Sequence, residues 1–531
     1  MFGFNYYTPT KVVFGKETEL KTAELIREFG GKKVLIHYGG GSVIRSGLLK
    51  RVTDTLDTAG IPYVMLGGAV PNPHLSLVYE GIELCKKENV DFLLAVGGGS
   101  AIDSAKAIGY GVTNEGDVWD FYDYKRQATA CLPLGVILTI AATGSEMSDS
   151  SVITKEEGLV KRGYSSDYCR PRFAIMNPEL TMTLPDYQTA CGCTDIMMHT
   201  MERYFTNGGN MEITDALAEG LLRTVMKNAE ILAKDPKNYD ARAEVMWAGS
   251  LAHNGLTGCG NDGGDWMTHK LEHELGGLYD VAHGAGLAAI WGSWARYVCG
   301  NCLPRFVRFA VNVMGVEPAG TDEETALKGI EAMEDFYRRI HMPTNLRELG
   351  VNATDEDLVT MAHKCAVGVG GSMGSAKLLY EEGYACNLPG KQVIPGQRCS
   401  TTQHSKEKRF LRTGEDVFFR GKSENILPVL TPAAYKPMKA DCTEKVSHKG
   451  VDFMNKCALK KAVLLGIPSA VATWIVYGLI TMLLDRQPLG EVMFNTLGIV
   501  FVIVMGILEV MIYYRNRTDK KGADISSRRA L

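Results

Sequence analysis

Short apolar segments that alternate with amphipathic helical segments limit the first part of this chain to few folds. Three runs rich in Val, Leu and Ile end at Gly or Thr turns and predict buried parallel strands, namely KKVLIHY, VDFLLAV and LPLGVILTI. The segments LLKRVTDTLDTAG and LSLVYEGIELCKKENV lie between the first two and repeat apolar residues every three or four positions. Both stop at Gly or Asn, as helices do. Strands that alternate with helices predict a βαβ sheet.

The chain is too long for one hydrophobic core. Its 531 residues correspond to roughly three or four domains of about 150 residues each. After about residue 185 the strand pattern fades, and long helical patterns such as ITDALAEGLLRTVMKNAEILAKD follow. We therefore predict an α/β domain over residues 1–184 and an all-helical domain over residues 185–385.

A glycine triple marks a predicted anion site. The strand VDFLLAV runs into Gly97, Gly98 and Gly99, then Ser100 and the helical segment AIDSAKAIGYG. Glycines let backbone N–H groups approach an anion closely, and a helix N-terminus adds the positive end of its dipole. Ser100 and Asp103 fit a capping box with Ser100 as the N-cap. A tight turn without a ligand is the alternative, but the position between strand and helix favours a bound anion.

A second glycine triple bears on the choice of cofactor. Gly39, Gly40 and Gly41 follow the first strand, and Ser42 comes next. In Rossmann-like nicotinamide sites, an acidic residue after an early strand binds the 2′-OH of the adenosine ribose and would repel a 2′-phosphate. Glycines and Ser42 stand there in this chain, so we predict that Gly39, Gly40 and Ser42 contact NADP(H) rather than NAD. A turn that is Gly-rich for its geometry alone is the alternative.

One aspartate and several histidines at helical spacing predict a metal site. Asp195 and His199 lie four residues apart in GCTDIMMHTMERYF, so both side chains project from one helix face. His269 and His273 repeat this spacing in WMTHKLEHELGG, and His283 follows in DVAHGAG. One carboxylate with two or three imidazoles suits Fe²⁺ or Zn²⁺ with an open coordination position. The segment HKLEH is not the HExxH motif of metallopeptidases, which argues against a peptidase.

Charge and cysteine content exclude other classes of protein. The formal net charge of -4 provides no basic field for nucleic acid. The 13 cysteines lack a framework spacing, so we expect reduced thiols and a cytoplasmic catalytic part. The N-terminal segment MFGFNYYTPT has none of the features of a secretion signal.

The C-terminal region differs in kind from a soluble enzyme. Residues 386–458 are polar and irregular, and we interpret them as a linker. Two almost uncharged apolar stretches, 462–484 and 492–514, are each near the roughly 20 residues that cross a bilayer. They predict a two-helix transmembrane hairpin over 459–517, followed by a basic tail over 518–531. Such a hairpin would anchor the catalytic part to the inner face of the membrane.

Two alternatives to a membrane anchor are open at this point. The apolar stretches could form a buried helical hairpin of a soluble domain, or the tail could be a fusion or frameshift product without a catalytic role. Lys and Arg residues flank both ends of the hairpin, a pattern that favours a membrane hairpin with both ends in the cytoplasm.

Taken together, the segments of the first 380 residues resemble one family, the iron-dependent (group III) alcohol dehydrogenases. Within that family they resemble the NADP-linked butanol dehydrogenase or aldehyde reductase branch. The resemblance rests on NYYTPTKVVFG, AVGGGSAIDSAKAI, LTIAATGSEMS, NPELTMTLP, GCTDIMMHTMERY and THKLEHELGGLYDVAHGAG, in the order in which the family has them. It implies a Rossmann-like NADP-binding domain followed by an all-helical metal-binding domain, an architecture like that of dehydroquinate synthase. The region after about residue 385 is not covered.

The resemblance also implies roles for individual residues. It places the metal ligands at Asp195, His199, His269 and His283, and it leaves His273 near the nicotinamide. Further cofactor contacts implied by the family pattern fall on Gly97, Gly98, Ser100, Asp103, Thr139, Thr143 and Lys161. It also implies a homodimer built in part by the strand around residues 12–14.

These roles lead to an expected activity. We expect reversible hydride transfer between NADP(H) and a primary alcohol or aldehyde such as butanol or butyraldehyde, with Fe²⁺ or Zn²⁺ as a Lewis acid and His273 as a proton relay. An NAD- and metal-dependent lyase of the dehydroquinate-synthase type is the main alternative, although the helical-domain motifs match the dehydrogenases better. The second alternative is a membrane scaffold with an inactive enzyme domain, but all four metal positions are intact.

Overall fold

The computed structural model describes residues 1–384 except Glu382. The strands are β1 (Lys11–Phe14), β2 (Val34–Tyr38), β3 (Tyr63–Leu66), β4 (Phe92–Gly97), β5 (Leu134–Leu138), β6 (Ser150–Lys155), β7 (Val160–Ser165), β8 (Phe173–Met176), β9 (Ser372–Met373) and β10 (Leu379–Tyr380). The helices are α1 (Thr22–Glu28), α2 (Ser42–Arg45), α3 (Leu48–Ala59), α4 (Leu75–Glu88), α5 (Gly99–Thr113), α6 (Trp119–Tyr122), α7 (Asp186–Tyr204), α8 (Glu212–Leu232), α9 (Tyr239–His253), α10 (Met267–Tyr279), α11 (His283–Val298), α12 (Leu303–Asn312), α13 (Asp322–Arg339) and α14 (Asp355–Gly368).

A six-stranded parallel sheet organises the first part of the chain, in the order β1-β8-β5-β4-β2-β3. The central strand β4 is buried along its whole length. Its residues Phe92, Leu94 and Val96 belong to one apolar core, whereas Leu93 and Ala95 belong to a second core. Alternate residues of a strand point to opposite faces, so both faces of the sheet are covered, and this explains the continuous apolar run in the sequence.

The predicted strands and helices of this region are present. The three apolar runs form β2, β4 and β5, and the two amphipathic segments form α3 and α4. Helix α3 ends at Gly60 (φ 65°) and α4 ends at Asn89 (φ 51°), both in the left-handed conformation that terminates helices. Gly60 and Asn89 therefore end these helices because glycine and asparagine readily adopt the left-handed conformation.

Helices α7 to α14 form the second part, where α7 packs against α8, α9 and α11. Their shared core is rich in aromatic side chains, including Phe205, Trp291, Trp294, Phe306 and Phe309. Rings of this size bury large apolar areas, and this burial stabilises the packing of the helices.

A small antiparallel hairpin, β6 with β7, connects the two parts. Strand β6 packs against α5 of the sheet part, and β7 packs against α10 of the helical part. The sequence patterns did not predict this hairpin. It carries Lys161 and Val152 into the space between the two parts.

The prediction of a transmembrane hairpin as part of the fold class is wrong for the structure as described. No helix in the described part of the chain is long and apolar enough to span a membrane. Even the apolar α11 has only 16 residues, whereas a span needs roughly 20. The hairpin segment 459–517, the linker 386–458 and the tail 518–531 lie outside the described residues. The supported fold class is the parallel α/β sheet followed by the helical part, without the hairpin.

Candidate active site

A cavity of about 480 Å³ lies between the sheet part and the helical part. The glycine loop after β4 contributes Gly99 and Ser100 to its lining, and Thr143 lies beside them. The helical part contributes four histidines that the sequence had singled out, His199, His269, His273 and His283. The glycine loop and the histidines, more than 90 residues apart in the chain, therefore face one space.

Three helices bring the predicted metal ligands together. Helix α7 carries Asp195 and His199 on one face, α10 carries His269, and α11 begins at His283. Ligand atoms of Asp195, His199 and His269 all lie within 4.8 Å of one another. The Oδ1 atom of Asp195 is 3.4 Å from His199 Nδ1, 3.6 Å from His269 Nε2 and 3.7 Å from His283 Nε2. All four residues thus converge on one point.

The ligand atoms fit a divalent cation because they have no other partner. Asp195 Oδ1, His199 Nδ1 and His269 Nε2 are buried and accept or donate no hydrogen bond within the described residues. Each unsatisfied buried polar atom costs about 1–3 kcal/mol, a cost that a bound cation would remove. Burial, and then neighbouring His253, lowers the pKa of His199 well below its ordinary value, so its ring is neutral. Neutral imidazole is the form that binds metals.

Two buried glutamates contact the Nδ1 atoms of two of the candidate ligand histidines. Glu202 Oε1 accepts a hydrogen bond from His269 Nδ1 at 3.1 Å. Glu272, which has no exposed side-chain surface, contacts His283 Nδ1 and also Lys161 Nζ at 3.2 Å. Carboxylates in this position fix the orientation of metal-binding imidazoles. Burial by itself raises the pKa of Glu272, but His283 and Lys161 outweigh it and lower the pKa to about 2.

His273 lies in the cavity wall but apart from the three clustered ligand atoms. It follows His269 by one helical turn, and its ring centroid is 6.1 Å from that of His283. Burial, followed by the charge of Lys161, lowers the pKa of His273 well below its ordinary value. A neutral imidazole that faces the cavity is able to exchange a proton with a bound ligand.

The glycine loop differs in one detail from its prediction. Helix α5 begins at Gly99 with Gly98 as its N-cap, and no side chain caps it. The predicted capping box is wrong because Asp103 accepts hydrogen bonds from Ser145 Oγ at 2.6 Å and from the Val152 N–H at 3.0 Å. A side chain at Gly99 would collide with Thr143, so close packing requires glycine there.

The predicted cofactor residues fall into two groups. Ser100, Asp103, Thr143 and Lys161 line the cavity. The others lie at the carboxyl edge of the sheet, outside that lining, and are Gly39, Gly40, Ser42, Gly97, Gly98 and Thr139.

The second group is nevertheless contiguous with the first. The Thr139 N–H donates to Gly97 O at 3.0 Å, which joins the ends of β5 and β4. Strand β2, which ends next to Gly39, pairs with β4 on its other side. A dinucleotide commonly binds across such an edge, outside the carboxyl ends of parallel strands.

Sequence reasoning missed several residues of the site. Glu202 follows Asp195 by seven residues and His199 by three, so helical spacing places it on the ligand face of α7. Glu272 likewise follows His269 by three residues. These spacings could have identified both glutamates from the sequence as neighbours of the predicted ligands.

Two cations were also missed, Lys106, which had no comparable signal in the sequence, and Arg45, which follows the second glycine triple. The fully buried Lys106 Nζ donates to oxygens of Ser145, Ser148 and Ser150. Arg45 occupies the space beside Gly41, in the loop that follows β2. Only the folded chain places Lys106 next to a loop of the site, whereas the sequence already places Arg45 four residues after Gly41.

Comparison with known proteins assigns both parts of the fold to one family. Residues 9–178 match the family model described as "Iron-containing alcohol dehydrogenase", and residues 189–371 match "Fe-containing alcohol dehydrogenase family, C-terminal". A probable NADH-dependent butanol dehydrogenase of Bacillus subtilis is 42% identical over 383 residues, which is 72% of this chain and 97% of the relative. The NADPH-dependent aldehyde reductase YqhD of Escherichia coli is 35% identical and covers 67% of this chain and 91% of its own length.

A solved structure extends the likeness to three dimensions. The crystal structure of NADH-dependent butanol dehydrogenase A from Thermotoga maritima superposes with a TM-score of 0.71 at 40% identity, covering 73% of this chain and 98% of its own. Both halves of the fold therefore match one family. The chain belongs to the iron-containing alcohol dehydrogenases.

Proposed function

We propose that this chain is a metal-dependent, NADP-linked alcohol dehydrogenase that interconverts primary alcohols and aldehydes, with butyraldehyde as a representative substrate. The observation that carries the proposal is the set of buried ligand atoms on Asp195, His199 and His269, which have no hydrogen-bond partner among the residues that the structure describes. The side chains of His199 and His269 line the same cavity as Gly99 and Ser100 of the glycine loop. Both matching family models describe alcohol dehydrogenases, which gives the lyase alternative no support.

The residues of the site have three separate roles in the proposed reaction, which are metal binding, orientation of the ligands and proton transfer. Asp195, His199, His269 and His283 would hold an iron or zinc ion, which when bound polarises a carbonyl oxygen as a Lewis acid. Glu202 and Glu272 keep two of the imidazoles oriented through their Nδ1 atoms. His273, neutral and in the cavity wall, holds or releases a proton at its ring nitrogen.

The proposed activity has a direct test. Metal-loaded chain mixed with butyraldehyde and NADPH should oxidise the NADPH, which is followed by its absorbance. If no member of a panel of straight-chain aldehydes consumes NADPH or NADH, the proposal fails.

His273→Ala should slow turnover without releasing the metal. General acid–base assistance contributes about 10²- to 10⁴-fold, so we expect kcat to fall within that range. Bound metal, measured by elemental analysis, should stay at the wild-type level because His273 lies outside the clustered ligand atoms. A variant that loses its metal would show that His273 is a ligand instead.

The preference for NADP over NAD is a finer proposal, since the relatives named above differ in their cofactor. No acidic residue follows β2, where Gly39, Gly40, Gly41 and Ser42 stand. Arg45 ends the short helix α2 in that loop, and its guanidinium has no hydrogen-bond or ion-pair partner among the described residues. An unpaired arginine suits a 2′-phosphate.

Arg45→Ala should therefore weaken the use of NADPH selectively. Loss of a hydrogen bond to a charged group costs about 1.5–3 kcal/mol, so kcat/KM for NADPH should fall about tenfold or more. The value for NADH, measured on the same preparation, serves as the control and should change less. Equal losses for the two cofactors would contradict a role for Arg45 at the 2′-phosphate.

A homodimer is also proposed, with β1 as part of its interface. Strand β1 lies at the edge of the parallel sheet and pairs only with β8 within the described residues. An edge strand presents unpaired backbone groups that a second chain is able to pair.

A further inference from the structure

Arg203 places a positive charge beside the metal-ligand cluster. It follows His199 by one turn of α7, and its guanidinium lies 4.4 Å from the ring centroid of Trp266. That ring is in turn 5.6 Å from the ring of His269 and 6.2 Å from the ring of His199. Arg203 and Trp266 both line the cavity. The indole ring of Trp266 therefore contacts the Arg203 guanidinium and lies near the rings of the candidate ligands His199 and His269.

The guanidinium of Arg203 is held by hydrogen bonds from only one of its three nitrogens to described residues. Its Nη1 donates to His199 O at 2.8 Å and to Ala252 O at 3.2 Å. Its Nε and Nη2 make no hydrogen bond to any described residue, and no described carboxylate oxygen lies within 4.0 Å of Arg203. An arginine side chain has five N–H donors in a fork that matches a carboxylate. Several of these donors remain for a ligand in the cavity.

Neighbouring carboxylates are already engaged. Asp149 lines the same cavity but pairs with Arg170 at 3.4 Å. Glu202 accepts from His269. A second lining cation, Lys270, also has no ion-pair or side-chain hydrogen-bond partner among the described residues. Arg203 and Lys270 thus line the cavity without forming an ion pair with a described carboxylate, and this favours an anionic ligand.

We propose that Arg203, stacked on Trp266, is a substrate subsite for a carboxylate, an inference that rests on the proposed function. The preferred substrates are then short aldehydes that carry a carboxylate, and the corresponding hydroxy acids. The carboxylate takes no part in the electron balance. NADPH gives a hydride to the carbonyl carbon, a proton goes to the carbonyl oxygen, and the products are the hydroxy acid and NADP⁺.

The test compares 4-oxobutanoate with its methyl ester on the metal-loaded full chain. The two aldehydes share a carbon skeleton, but only the first carries a charge. We expect kcat/KM to be at least about tenfold higher for the acid in the wild type, and this ratio to fall at least about tenfold in Arg203→Gln. Arg203→Lys keeps the charge and should recover part of the ratio. Arg347→Gln, an exposed arginine outside the cavity lining, is the matched control.

Other outcomes separate this inference from the proposed function. A wild type that reduces neither compound nor butyraldehyde would overturn the proposed function. A wild type that reduces butyraldehyde while Arg203→Gln keeps the acid-to-ester ratio would overturn the carboxylate subsite alone. The subsite is equally overturned if Arg203→Gln loses bound metal, or if it raises the KM for NADPH and leaves the ratio unchanged, since Arg203 would then support the ligands or the cofactor.

Discussion

His269→Ala is expected to lose the bound metal and nearly all activity. The imidazole Nε2 is one of three ligand atoms within 4.8 Å of one another, and its Nδ1 is held by Glu202 at 3.1 Å. Without the ring, the metal loses a ligand, and Glu202 keeps only the backbone N–H of residue 269. Lewis-acid polarisation is worth several kcal/mol of transition-state stabilisation, so we expect kcat/KM to fall at least about 10³-fold.

Metal content and activity should be measured on the same preparation. His363→Ala is the matched control, because that histidine is 62% exposed and pairs with Glu381 on the surface. It should keep both metal and turnover. Retention of full metal by His269→Ala would contradict the ligand assignment. An equal loss of activity in His269→Ala and His273→Ala, with metal kept in both, would contradict the division of roles between them.

Lys106→Met should destabilise the fold and disturb the cofactor side of the cavity. The ammonium donates to the carbonyl oxygens of Ser145, Ser148 and Ser150 at 2.8, 3.0 and 2.7 Å. Methionine fills a similar volume but leaves these buried acceptors unsatisfied, at about 1–3 kcal/mol each. Because removal of a buried charge recovers part of this cost, we expect a net loss of about 3 kcal/mol in the free energy of unfolding.

Urea unfolding followed by tryptophan fluorescence measures this loss, with Lys87→Met as the matched control. Lys87 is exposed near the end of α4, where such a change alters stability by about 0.5 kcal/mol or less. The KM for NADPH should also rise in Lys106→Met, because Ser145 joins Lys106 to Asp103 and the loop after Thr143 lines the cavity. Unchanged stability would show that water replaces the ammonium without cost.

Local sequence patterns were sufficient to predict the main strands and helices. The parallel strands β2, β4 and β5 are buried on both faces, so their sequences are almost entirely apolar, with the buried His37 of β2 as an exception. Asp195 and His199, and likewise His269 and His273, share a helix face because four residues make about one turn. Such short-range rules need no knowledge of the rest of the chain.

Interactions between distant segments escaped those rules. The Ser100–Asp103 spacing suggested a capping box, but Ser145 and Val152, more than 40 residues away, bind the Asp103 carboxylate instead. Lys161 suggested only a cofactor contact, whereas Glu272, 111 residues further on, also binds its ammonium. Side-chain pairing across such separations depends on the packing of whole elements.

By itself, then, the sequence determined the βαβ sheet, the helical second part and the glycine loop, and it predicted the residues that converge as candidate metal ligands. Each of these follows from periodicity or from a resemblance carried by contiguous motifs. The tertiary structure decided with which partners the supporting polar groups pair. Glu202 accepts from His269, Glu272 contacts both His283 and Lys161, and Arg203 has donors at the cavity that pair with no residue in the described part of the chain. The physical reason is that a buried charge is defined by its neighbours, and those neighbours come from other helices and strands.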